Sequence, residues 1–174
     1  MKMGNLLTAL FMILATQSYA ERESWVSEGV SNSGAVFIST SGIVTHGDKL
    51  RLRFVKGKCR TPNLISSMYS MQDNPEILNL SDQFVNVNFA DNEGIATLRY
   101  PRTFLNGVYV TVDLGWTDLD RFLDKADLVE TIELQLLDTK DFISSDFFDI
   151  PFNSWGTDEL RAAAFEAVKI CENL

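Results

Sequence analysis

At 174 residues the chain has room for one domain with a proper core and not for two comfortable ones. An apolar share of 45% and a charged share of 22% exclude wholesale disorder. The formal charge of −9 opposes attraction to nucleic acid or anionic lipid, favours basic partners, and equally serves plain solubility.

The chain opens on Met1-Lys2-Met3, an apolar run from Leu6 to Ala15, and Gln17-Ser18-Tyr19-Ala20 ahead of Glu21-Arg22-Glu23. This order predicts a secretory signal peptide over 1–20, cleaved after Ala20, and a single β-rich domain over 21–174 closed by a C-terminal helix. The apolar run is too short to span a bilayer, and no later stretch reads as a membrane span. No cysteine follows the run to carry a lipid. Removing Lys2 leaves 14 basic against 24 acidic residues, a net charge of −10. The expected localisation is periplasmic or secreted. In such a compartment two cysteines pair, which predicts a Cys59–Cys171 disulfide. A catalytic thiol would need a histidine, and the one histidine, His46, sits in a Thr-His-Gly-Asp turn. Asn79-Leu80-Ser81 would accept a glycan in a eukaryotic host.

Gly34 to Thr40 reads as the first firm strand, with Val36 and Ile38 alternating against Ala35, Phe37 and Ser39. Lys49 to Phe54 alternates strictly: Leu50, Leu52 and Phe54 on one face, three cations on the other. Thr61-Pro62-Asn63 stops that strand and Leu64 to Met71 makes the return. After a turn at Gln72-Asp73-Asn74-Pro75, Phe84 to Ala90 and Ile95 to Tyr100 form a hairpin across Asp91-Asn92-Glu93-Gly94, which Pro101 is expected to end. Gly107 to Leu114 is the next strand. Leu119, Phe122, Leu123 and Ala126 share one side of a short helix near 117–126, with Thr117 as its cap. Leu128 to Leu137 alternates again, and Phe147 to Phe152 leads to the last helix, near 157–172. There Leu160, Ala163, Ala164, Ala167, Val168 and Cys171 make one stripe, with Thr157 expected to cap it and Lys169 in the last turn. The fold class expected is mainly β (α+β): an antiparallel β-sandwich or curled sheet with one short internal helix and a C-terminal helix.

An N-terminal Trp25, a basic strand ending in Cys59, the GVYVTVD strand, LDRFLDKADLV and a Gly156-led helix ending in Cys171 follow in that order. The arrangement resembles small exported bacterial β-sandwich proteins of the invasion-associated locus B type and similar envelope accessory proteins. The resemblance implies a binding or accessory role and assigns no active-site residue.

Two charge clusters stand out. Lys49, Arg51, Arg53, Lys56, Lys58 and Arg60 fall within 12 positions. They read either as a site for an anionic ligand or acidic peptide, or as the solvated face of an edge strand. From Asp113 to Asp149 there are 11 acidic and three basic residues. Asp118, Asp120, Asp124, Asp127, Glu130 and Glu133 are its candidate partner-binding residues, as a docking face for a basic protein or as a solvated surface neutralised by the basic strip. Phe142, Phe147, Phe148, Phe152 and Trp155 are read as core beneath the last helix, with a groove lined by Phe147, Phe148 and Trp155 as the alternative.

No catalytic set is assembled. His46 has no nucleophile elbow near it, and carboxylates are too many to single out a glycosidase pair. Asp91-Asn92-Glu93-Gly94 lacks calcium-loop spacing, and one histidine with two paired cysteines builds no zinc site, so neither metal nor cofactor is expected. The expectation is a non-catalytic exported protein that binds a protein partner through its acidic surface. An inhibitor or immunity protein against a cationic secreted enzyme is the first alternative, and a carboxylate-based hydrolase of envelope polysaccharide the second.

Overall fold

The structure, a computed structural model, describes residues 24–45, 47–71 and 74–174. The expected signal peptide and His46 lie outside the described residues. Among the described residues nine strands follow one another: Val26–Val30 (β1), Ala35–Ser41 (β2), Lys49–Val55 (β3), Asn63–Ser70 (β4), Phe84–Phe89 (β5), Asn92–Phe104 (β6), Gly107–Trp116 (β7), Thr131–Leu136 (β8) and Phe152–Gly156 (β9). One helix, Leu119–Ala126 (α1), interrupts them, and a second, Leu160–Glu172 (α2), ends the chain. The mainly β, α+β class expected from the pattern is what forms.

All pairings are antiparallel, in the order β1-β2-β3-β4-β7-β6-β5-β8-β9. The period of two puts apolar residues opposite apolar ones. Ile38 faces Leu52, Leu52 faces Leu64, Met68 faces Val110, and Ile132 faces Trp155. These side chains belong to one core cluster, which also takes in Leu119 and Leu123 of α1 and the buried α2 residues Leu160, Ala164, Ala167, Val168 and Cys171.

The two ends of the sheet meet. The Trp25 indole N–H donates to the Gly156 carbonyl at 2.9 Å, and the Ile43 N–H donates to the Ser154 carbonyl at 2.8 Å. Asn153, fully buried, fills the seam. Its Oδ1 accepts from the N–H groups of Val44, Thr45 and Ser154, while its Nδ2 donates to the Thr45 carbonyl and to Asp48 Oδ2 at 3.1 Å. Gly42 is obligatory here, because a Cβ would stand 2.3 Å from Asn153 Nδ2. Asp48, 1% exposed, also accepts the Tyr69 N–H through Oδ1 at 2.8 Å. Burial outweighs both donors and pushes its carboxyl up to about 7.

Several local expectations are corrected. β6 does not end at Pro101 but runs to Phe104. A bulge between Arg99 and Arg102, with Tyr100 at φ 49°, lifts Pro101 out of the ladder so that its missing N–H costs nothing. The β5–β6 turn is Ala90-Asp91, both left-handed, as a two-residue hairpin turn requires. Asp118, not Thr117, caps α1 by accepting the Arg121 N–H at 2.9 Å. Thr157 does not cap α2 either: its hydroxyl donates to the Val129 carbonyl at 2.7 Å, and Glu159 enters the helix at φ 63° with no side-chain cap. Of the aromatic cluster, Phe142, Phe148 and Trp155 are buried core and Phe147 stacks on Phe142 at 5.4 Å, so these rings do not line a groove, but Phe152 is 45% exposed and is not core.

The expected disulfide is present, joining Cys59 in the β3–β4 loop to Cys171 at the end of α2. Closing so long a loop constrains the unfolded chain, so Cys171→Ser is expected to lower unfolding stability by about 2–5 kcal/mol. Urea denaturation of the oxidised wild type against the variant measures it, and equal midpoints would contradict it. A second expectation concerns pH. Asp48's folded pKa lies above its unfolded value, so its contribution is complete below about pH 4 and is lost as pH rises through about 7. The loss is on the order of 4 kcal/mol at most. Glu28 acts oppositely and only in acid: burial alone would raise it, but Ser39 Oγ, Arg51 and Lys49 hold it below 4.5. Carboxyl carbon NMR of Asp48, with unfolding curves from pH 5 to 8, should show a midpoint near 7 and falling stability.

Candidate functional site

The six acids expected on the partner face gather on and beside α1, but most are already engaged. Asp118 is the cap. Asp120 accepts from Arg60 Nη1 at 3.3 Å. Asp124 and Asp127 hold Arg161 of α2 in a fork, Nη2 to Asp124 Oδ1 at 2.9 Å and Nε to Asp127 Oδ2 at 2.8 Å. Those bonds, Asp127's first, push the Arg161 guanidinium above its ordinary value. Thr157 hydrogen-bonds the backbone carbonyl of Glu130, and Glu133 is exposed on β8. Farther along, Asp138 accepts from both the N–H and the hydroxyl of Ser144, which keep it below its usual range. Asp149 accepts the Met71 N–H. The acidic stretch is therefore not one open face.

The basic strip divides in two. Lys49, Arg51 and Arg53 lie on the partly exposed face of β3, which is an internal strand between β2 and β4, so the edge-strand explanation of its charge is overturned. Glu28 on β1 neutralises two of them: Arg51 Nε lies 3.1 Å and Lys49 Nζ 3.6 Å from Glu28 Oε1. Lys56, Lys58 and Arg60 instead occupy the loop after β3, all exposed. Lys58 Nζ sits 4.4 Å from the centre of the Trp116 ring. Arg60 and Arg161 both lie 5.9 Å from the centre of the Phe165 ring. Basic loop, acidic helix and C-terminal helix are thus laced together.

Two concave features adjoin at α1. One cleft of about 280 Å³ has Phe122, Ala126, Val129 and Ile132 in its walls, with Asp91, Lys125 and Glu133 also contributing. A second, of about 400 Å³, shares Ala90, Phe122 and Lys125 with it and extends past Phe89 to Leu64, Leu114 and Trp116. Phe89 and Phe122 are parallel, with centroids 6.4 Å apart, and carry the floor where the clefts adjoin. Lys125 reaches to Asn92 Oδ1 at 3.3 Å, over the same junction. Val129 is 43% and Leu128 84% exposed at the margin. A third depression, of about 510 Å³, lies over the disulfide and has Lys56, Lys58 and Arg60 in its wall.

Reading the sequence missed Trp116, Val129, Arg161 and Phe165. Arg161 carried a signal: it is an isolated cation in the first turn of α2, where the helix dipole disfavours it and only a carboxylate partner accounts for it. Among the described residues no three His, Cys, Asp or Glu side chains gather as metal ligands, and no helix is long and apolar enough to cross a membrane. Compared with family models, curated proteins and solved structures, the chain matches none.

If the Arg161 fork clamps α1 to α2, Arg161→Gln should speed amide hydrogen exchange across 120–127 severalfold while leaving the denaturation midpoint nearly unmoved. Unchanged exchange there would show that the apolar face of α1 holds the helix unaided.

Proposed function

We propose that the protein is a non-catalytic, exported binding protein that holds a protein partner on the face built around α1. The observation that carries this reading is the pair of adjoining apolar-floored clefts there, bordered by charged side chains and by exposed Leu128 and Val129. An apolar centre with a charged rim is the usual anatomy of a protein interface. The rim also gives the acidic surface a specific task, because Asp91 and Glu133 take part in no ion pair among the described residues. They favour a basic partner and steer its approach.

The most strongly shifted acid supports a binding role over hydrolysis. Asp48 is sealed into the seam by Tyr69 and Asn153, away from every cleft described above, so its raised pKa reflects structure rather than acid catalysis. A long-range disulfide suits an oxidising compartment, which agrees with the signal peptide read in residues 1–20. The resemblance to invasion-associated locus B proteins points the same way.

A photo-crosslinking residue at position 129 should capture a partner in the native compartment, and one at position 33 should not. Leu128→Asp combined with Val129→Asp should weaken that partner's binding at least tenfold, and association with the wild type should slow as salt rises. Capture equal at both positions would remove the α1 face from consideration. Turnover of cell-wall fragments, lost on replacing Asp91 or Glu133, would replace binding with hydrolysis.

A further inference from the structure

The loop after β3 is held from three sides. Its disulfide joins it to the end of α2, the Lys58 N–H donates to the Val55 carbonyl at 2.8 Å, and the Thr61 N–H donates to the Lys58 carbonyl at 3.0 Å. Gly57 makes the turn at φ 81°, a backbone angle that suits glycine. The consequence is three cations, Lys56, Lys58 and Arg60, presented from a stiff frame around an open depression of about 510 Å³. A loop backbone fixed in advance loses little freedom when an anion arrives. The depression's wall holds a single carboxylate, Glu172, in a protein whose net charge is −9.

The chemistry of the wall narrows the occupant. Apart from the two disulfide cysteines it has no apolar side chain, so a peptide's aliphatic or aromatic anchor would find no pit. Two rings stand beside it, however, each next to one of its cations: Trp116, 48% exposed, under Lys58, and Phe165, 37% exposed, near Arg60. Flat apolar ring faces next to fixed cations suit pyranose rings that carry acid groups, since the ring stacks while the carboxylate meets the ammonium. Nucleic acid fits less well. An exported protein meets little nucleic acid, and export is what residues 1–20 read as.

We propose that the depression over the Cys59–Cys171 disulfide binds a linear anionic saccharide, with Lys56, Lys58 and Arg60 taking its acid groups and Trp116 its ring face. The site adjoins the larger α1 cleft at Trp116, yet its binding of an anion does not depend on that cleft holding a protein.

The test uses the whole oxidised protein and four probes: hexagalacturonate, the neutral maltohexaose, a six-residue thymidine oligonucleotide and hexa-aspartate. Affinities come from calorimetry, and amide and indole NMR shifts locate the contact. Hexagalacturonate should shift the Trp116 indole and the 56–61 amides, and maltohexaose should bind far more weakly. Lys56→Gln combined with Lys58→Gln, both exposed positions, should reduce hexagalacturonate affinity roughly tenfold while leaving the far-ultraviolet circular dichroism unchanged. Equal binding of maltohexaose, undiminished binding by the double variant, or tighter binding of the oligonucleotide or of hexa-aspartate would each overturn the proposal.

Discussion

Everything in this molecule rests on the seam at Asn153. Nine antiparallel strands could lie open as a twisted ribbon, with both apolar edges in water. Here the last strand is drawn against the segment that follows β2, and one buried amide carries most of the polar contact. Leaving such a group unpaired would cost more than its hydrogen bonds return, so the arrangement is stable only when every partner is in place. Asn153 meets that condition with five hydrogen bonds. The Trp25–Gly156 bond repeats the closure a few residues away, using the polar tip of an otherwise buried ring.

The C-terminal helix completes the body by being pinned at both ends. Its start is tied to α1 and the following loop through Arg161 and Thr157, and its end to the β3–β4 loop through the disulfide. Between these points a stripe of alanine, valine and leucine lets the helix lie close to β1, β2 and β3. Small side chains permit the approach but bury little area each. The covalent tie therefore matters more to this helix than it would to one rich in leucine.

How much of this could be read from the chain depends on how local the cause is. The alternation of Lys49 to Phe54 and the apolar side of α1 are written in neighbouring residues, and both form as the pattern requires. The pairing of Cys59 with Cys171 followed from a count of cysteines and an expected compartment. β1 and β9 escaped notice because each is short and mixed in character, and is a strand only by virtue of its neighbour. The continuation of β6 past Pro101 depends on a bulge, and a bulge is set by tertiary register rather than by composition. The seam left no trace at all, since its partners lie more than a hundred positions apart. At the candidate site the acids of α1 were found, and so was Arg60 in the basic strip expected to neutralise them, but Arg161 was not.

That neutralisation bears on how the two proposed surfaces relate. Arg60 belongs to the basic loop yet bonds Asp120 of α1, and Lys58 rests on Trp116, whose ring also walls the larger α1 cleft. The proposed anion-binding and protein-binding surfaces are therefore adjacent and share side chains. An anion that draws Lys58 away from Trp116 uncovers the indole at the end of that cleft, and one that engages Arg60 releases Asp120 to a partner. Two ligands that bias the same few side chains are coupled whatever the distance between their centres, and the coupling acts equally in both directions. In this arrangement the opposite charges do not simply cancel. They hold each other in reserve, and each sign becomes available at the surface when the other is occupied.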